Sequence, residues 1–153
     1  VSKFKTGFYT IINEHKYIQP IDRTMNKGTL PQYRSSWELK FYRFCDANPL
    51  VVKWGTEPFA IPYTSPKDGK IHRYYIDAFV EYRDGTKFLV EIKPFAQTQH
   101  PKIPKKQTVK AQIKFEKDLL TYLVNQAKWE AARIFAKQKG LKFIIITEKE
   151  LGI

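Results

Sequence analysis

Apolar and polar positions along the chain change period several times, and each change marks an element. Trp37, Phe41, Phe44 and Cys45 recur at helical spacing behind Ser35 and Ser36, either of which offers an N-cap. A helix is therefore predicted over about 36–47, ended by Asn48-Pro49. Strand-like runs follow at Leu50–Trp54, Arg73–Tyr82 and Thr86–Lys93, with a shorter one at Phe59–Tyr63. A loop rich in Gln, Pro and Lys covers Phe95–Lys106. From about Thr108 to Lys139 the period is helical again, with Ile113, Leu120, Val124, Ala127, Ala131 and Ile134 on one face. So long a run suggests two helices meeting near Asn125, a plausible N-cap. Gly140 supplies the stop, and Leu141–Thr147 reads as a buried strand.

Residues 1–34 have no such period, and Gly7, Pro20, Gly28 and Pro31 punctuate them, so they read as an arm or long loop before a single domain at 35–153. The element order predicts an α/β fold with a mixed, mainly antiparallel sheet flanked by helices. The length of 153 residues fits one domain. Charge changes the picture more than length does. There are 27 Lys and Arg against 15 Asp and Glu, a formal net charge of +12, which points to a polyanionic partner. One cysteine, Cys45, excludes an internal disulfide and a Cys-based metal centre. No apolar run approaches the ~18 residues of a membrane span and no signal peptide opens the chain, so an intracellular protein without membrane contact is expected.

The chemistry is concentrated in Tyr75-Ile76-Asp77 and, thirteen residues on, Glu91-Ile92-Lys93. Glu91 and Lys93 share one face of a strand. Whether Asp77 joins them depends on the hairpin between. A two-residue Asp84-Gly85 turn would set Glu81 against Phe88 and put Asp77 on the wrong face. A three-residue loop, Arg83-Asp84-Gly85 with Gly85 left-handed, pairs Tyr82 with Thr86, Glu81 with Lys87, Phe79 with Leu89 and Asp77 with Glu91. The second register yields an ion pair and an apolar pair, so cross-strand pairing selects it. It also leaves two opposed carboxylates, a repulsion that a divalent cation removes. Oxygen ligands of this kind suit Mg²⁺ or Mn²⁺.

An aspartate on one strand, Glu-x-Lys on the next and a glutamate on a preceding helix resemble the PD-(D/E)xK nuclease superfamily. Ile76 stands where that family often has proline. Ser35/Ser36 with Glu38 before the strands, and Lys128-Trp129-Glu130 with Phe143–Glu150 after the helix, are similar to the catalytic domain of transposon-end-cleaving endonucleases. Arg34–Phe44, Tyr74–Pro94 and Asn125–Leu151 also resemble the head completion nucleases of large contractile-tailed bacteriophages. The resemblance implies a restriction-endonuclease-like core and a magnesium-dependent DNA endonuclease, with exonuclease action also open. It would act on packaged double-stranded DNA in head completion and head–tail joining. Head, portal-vertex or neck proteins would be its partners, in the host cytoplasm during assembly and then in the virion. It further implies that Asp77 and Glu91 bind metal with the Ile92 carbonyl, that Lys93 is the catalytic lysine, and that Glu38 completes or extends the metal site. Asn125 and Trp129 resemble the Gln-x-x-x-Tyr accessory motif of some superfamily nucleases, although core packing plus an N-cap explains the pair equally well.

Lys102, Lys105, Lys106, Lys110, Lys114 and Lys117 follow the motif and make a candidate DNA track, with Lys128 a further phosphate contact. Tyr74, Tyr75 and Phe95 read as core or as apolar cover for the site. His15, His72 and His100 lack metal-ligand spacing, and the absence of a Gly-rich phosphate loop excludes a nucleotide cofactor. The rival readings are a non-catalytic DNA-binding adaptor or plug at the head vertex, and an RNA-processing nuclease, for which no RNA-recognition motif is present.

Overall fold

The computed structural model describes residues 6–18 and 30–152; Pro20 and Gly28, read as breakers, lie outside them. In chain order the elements are β1 (Gly7–Phe8), β2 (Tyr17–Ile18), β3 (Gln32–Tyr33), α1 (Ser36–Ala47), β4 (Val51–Thr56), β5 (Ala60–Thr64), β6 (Ile71–Tyr75), β7 (Ala78–Tyr82), β8 (Lys87–Ile92), α2 (Val109–Gln138), β9 (Lys142–Ile146) and α3 (Glu148–Leu151). Five strands form the central sheet in the order β2-β4-β7-β8-β9. Its inner pairs are antiparallel and its two outer pairs parallel. The fold is thus α/β with a mixed sheet between helices.

Each face of the sheet covers its own core. On one side Val80, Val90 and Ala78 pack with Trp54 and with Phe41, Tyr42 and Cys45 of α1. On the other, Leu89 packs with Ile61, Tyr74 and Ile76 and with Trp129, Ala132 and Ala136 of α2. The α1 face differs from expectation, because Phe44 turns outward and Leu39 and Tyr42 turn in. Ser35 is the N-cap, its side chain accepting from the Glu38 N–H at 3.1 Å.

The described part of the N-terminal region is bound to this core. β2 adds a parallel edge to β4, and Asp46 near the end of α1 gathers the chain before it. The Asp46 carboxylate accepts from the Tyr9 hydroxyl at 2.6 Å and the Ile12 and Asn13 N–H groups at 2.8 and 2.9 Å. The Lys16 ammonium donates to the Asp46 carbonyl at 2.9 Å. The bonds to its carboxylate hold the Asp46 carboxyl below its ordinary range, outweighing the effect of burial.

Four expectations need correction. The run Arg73–Tyr82 is two strands: β6 leaves the central sheet to pair with β5, and the chain bends at Ile76-Asp77. The partner segment bends beside it at Glu57, whose φ is +46° and whose N–H donates to the Asp77 carbonyl at 3.1 Å. Second, α2 is one continuous helix capped by Thr108, with no Gly or Pro in its interior to break it. Asn125 is therefore buried mid-helix rather than an N-cap. Third, the buried stripe of α2 is Asn125, Trp129, Ala132 and Ala136, while Ile113 and Ile134 are exposed. Small residues beside one large ring let the helix approach the sheet closely. β9, expected to be buried, is a half-buried edge strand.

The β7–β8 hairpin has the predicted closure. The Tyr82 N–H donates to the Thr86 carbonyl at 2.9 Å, and Glu81 pairs with Lys87 and Phe79 with Leu89. Gly85 has φ +88°, with open space around it. Gly85→Val is thus a purely backbone perturbation, and a loss of about 1 kcal/mol or more is expected in urea unfolding.

Candidate active site

At one end of the sheet, where β7 begins and β8 finishes, the break at Ile76-Asp77 frees Asp77 from strand pairing. Its carboxylate accepts from the Ile92 N–H at 2.8 Å. The hairpin register continues to bring it against Glu91, and the two carboxyl groups are hydrogen-bonded to each other. Glu91 is held from the far face. The Tyr74 hydroxyl and the Trp129 indole N–H donate to one oxygen of Glu91, Oε2, at 2.6 and 2.9 Å.

The electrostatics of the pair are asymmetric. Burial pushes the Asp77 carboxyl well above its usual range, and the charges of Glu91 and Glu38 add to this. Burial acts on Glu91 in the same sense, but hydrogen bonds from Asp77, Tyr74 and Trp129 and the positive charge of Lys93 hold it below its ordinary value. The environment thus sets the two acids apart, Asp77 toward the neutral form and Glu91 toward the charged one. Glu38 is raised by burial and by Glu57 and Glu91, against the stabilising hydrogen bond from the Arg34 N–H.

Glu38 and Asp77 line a small polar cavity with Glu57, Tyr42 and Arg34. Arg34 reaches Glu57 at 3.3 Å. Glu38 also faces a cleft of about 300 Å³ shared with Lys93, Pro94 and Gln97. Asp77, Glu91, Lys93, Glu38 and the Ile92 backbone are thus gathered at one sheet end.

Among the described residues, no group of three or more His, Cys, Asp or Glu side chains is arranged to hold a metal ion. The donors present are oxygens: two carboxylates already in contact, a third acid nearby and a backbone. That set fits a hard cation that keeps several waters and takes one or two carboxylates.

Several neighbours differ from the sequence reading. Tyr74, read as cover or core, spends its hydroxyl on Glu91. Trp129 packs in the core and also orients that carboxylate, whereas Asn125 reaches neither acid. Glu57 was not foreseen, and only its left-handed backbone, rare for a non-glycine residue, marks it. Lys128 lies over the Tyr63 and Tyr74 rings at 5.8 and 5.7 Å from their centroids. Lys102, Lys105, Lys106 and Lys110 are exposed and make no ion pair among the described residues, while Lys114 pairs with Asp118 at 2.6 Å. The loop carrying the first of them is pinned at its start, where the Phe95 N–H donates to Glu148 at 2.9 Å.

Residues 48–148 match the family described as TnsA-like endonuclease N terminal, a match that spans the sheet's central strands, Asp77, Glu91 and α2. The chain belongs to that family. It is also 40% identical over 119 residues to the head completion nuclease of Enterobacteria phage T4, covering 78% of this chain and 79% of that protein. Both likenesses expected from the sequence are therefore present, and the phage relative extends over more of the chain than the family's own domain.

Proposed function

We propose that this member of the TnsA-like endonuclease family is a Mg²⁺- or Mn²⁺-dependent deoxyribonuclease that hydrolyses phosphodiester bonds of double-stranded DNA. The packaged DNA of a phage head, during head completion and head–tail joining, is its proposed substrate, in keeping with the name of its T4 relative. The observation that carries the reading is the Asp77–Glu91 pair, braced by Tyr74 and Trp129 and set beside Lys93. A surface-binding role asks for none of this. Bringing two buried carboxyl groups together costs a fold stability, a cost that a bound cation would offset.

Asp77, Glu91 and the Ile92 carbonyl would hold the metal, with Glu38 extending the set. When bound, the metal supplies positive charge to the reacting phosphate and to the leaving 3′ oxygen. The residues of the chain do the remainder. Tyr74 and Trp129 fix the Glu91 carboxylate, and the Ile92 N–H fixes that of Asp77. The Lys93 ammonium, in the cleft with Glu38, holds the scissile phosphate for in-line attack by water. Ends carrying 5′-phosphate and 3′-hydroxyl are the expected products.

Incubation with supercoiled plasmid tests the reading. Nicking is expected with Mg²⁺ and none with chelator. A folded protein that never nicks with any divalent metal would overturn it in favour of a DNA-binding adaptor. Lys93→Ala should lose turnover while Mg²⁺ binding, followed by calorimetry, is retained, because lysine offers a cation no ligand atom.

The unpaired lysines after the motif supply the phosphate track in this proposal. Replacing Lys105 and Lys106 by Ala should weaken binding to all DNA sequences. It should also make the slope of log affinity against log salt shallower, by ~0.9 for each phosphate no longer neutralised. An unchanged slope in fluorescence-anisotropy titrations would return these lysines to an ordinary solvated surface.

A further inference from the structure

A pocket of about 340 Å³ lies against the active-site cleft, between the loop after Lys93 and the middle of α2. Gln97 is the wall the two share, since it lines both the cleft with Lys93 and Glu38 and this second pocket. Asn125 forms the pocket floor. It is 6% exposed, and its amide makes no hydrogen bond among the described residues. The Asn125 amide is not among the sealed, unpartnered polar atoms of the described residues, so in a helix stripe otherwise made of Trp129, Ala132 and Ala136 it stays open to the pocket and free for a ligand.

We propose that this pocket receives one unstacked nucleobase of the strand being cut, so that the preferred substrate is DNA with an unpaired nucleotide beside the scissile phosphate. The inference deepens the nuclease reading and rests on it. Three features identify a base rather than another ligand. Asn125, Gln97 and Gln99 are amides, each offering both donor and acceptor, which is what the edge of a base requires. Tyr122 lines the same pocket, its ring 5.2 Å from that of His100, and provides an aromatic surface for stacking.

The third feature is charge. No lysine or arginine lines the pocket, and its one acidic residue is Asp118, held by Lys114. A phosphate would be repelled there, whereas an exocyclic amino group would be accepted. Phosphates are instead met on either side, by Lys93 in the cleft and by Lys102, Lys105 and Lys106 immediately after Pro101 of the pocket wall. Pinning of Phe95 to Glu148 keeps the wall in place.

Binding measured in chelator tests the pocket without any cutting. Two duplexes of equal length are compared, one blunt and one ending in an unpaired 2-aminopurine. The full-length chain should bind the second at least ~10-fold more tightly, with quenching of the 2-aminopurine as it stacks. Asn125→Leu, which fills the floor, and Gln97→Ala on the exposed loop should each bring that ratio close to one. Gln97→Ala keeps the test open if the buried substitution impairs folding. Equal affinity of the parent for both duplexes, or a preference that survives both substitutions, overturns the proposal. If the preference holds but no plasmid is ever nicked with metal, the pocket stands and the nuclease reading falls.

Discussion

Asp77→Asn and Glu91→Gln should each abolish nicking while leaving the fold and DNA binding in place. Each change keeps the side chain's size and hydrogen-bonding capacity but removes the charge that holds a divalent cation. Loss of a ligand in a charge-stabilising site costs several powers of ten in rate, at ~1.4 kcal/mol per tenfold. Folding should not suffer, because the packing on both faces of the sheet is untouched and the pair no longer holds two acids in contact. DNA affinity without metal should hold or rise, since neither change adds a negative charge facing phosphate. The two variants should differ in one respect. Asn at 77 replaces the carboxyl that burial pushes well above its usual range, so the metal-free protein should be little perturbed. Gln at 91 replaces the carboxylate that its donors and Lys93 hold below the ordinary value, and presents an amide to Tyr74 and Trp129. The measurements are plasmid nicking against Mg²⁺ concentration and thermal unfolding in chelator. Variants that cut like the parent would end the catalytic assignment.

Trp129 should show the next largest effect, and two substitutions divide it. Trp129→Ala opens a cavity in the core beneath α2 and should cost about 3–5 kcal/mol in urea unfolding. Trp129→Phe keeps most of the packing but deletes the indole N–H that Glu91 accepts at 2.9 Å. Residues that orient a metal ligand typically contribute ~10–100-fold to metal affinity or activity. The Phe variant should therefore need ~10–100 times more Mg²⁺ for half-maximal nicking, at nearly unchanged stability. A loss of stability without a shift in metal requirement would confine Trp129 to the core.

The sequence made the hairpin legible because its determinants are local. Gly85 could supply a left-handed residue, Glu81 could meet Lys87 and Phe79 could meet Leu89, and all three conditions selected one register. The helix α1 was legible for the same reason, through Ser35 and the period behind it. What escaped depends on distant partners. Tyr74-Tyr75-Ile76 are all good strand formers, so nothing local marks the bend that releases Asp77; it arises because β6 pairs with β5 instead of continuing beside β8. The buried side of α2 was misread because Ile113 and Ile134 are more hydrophobic than Ala132 and Ala136, yet only the small residues allow close approach to the sheet. Glu91's donors lie 17 and 38 positions away, too far for any spacing rule to join them. The acids of the site could be named from the motif, but the groups that set their protonation could not.

Asp46 carries a practical consequence for any shortened form of this protein. Likeness to the endonuclease family starts at residue 48, and a fragment cut there would look complete by that measure. It would lack α1, and with it Glu38 and the wall against which Phe41, Tyr42 and Cys45 seal the sheet. A cut at residue 35 would restore the helix but leave Asp46 without Tyr9, Ile12 and Asn13, and Trp54 without the Tyr9 and Tyr17 rings that lie 6.3 and 5.0 Å from it. The smallest stretch that can close its own interior therefore reaches back at least to Gly7, well before the point at which the family likeness begins.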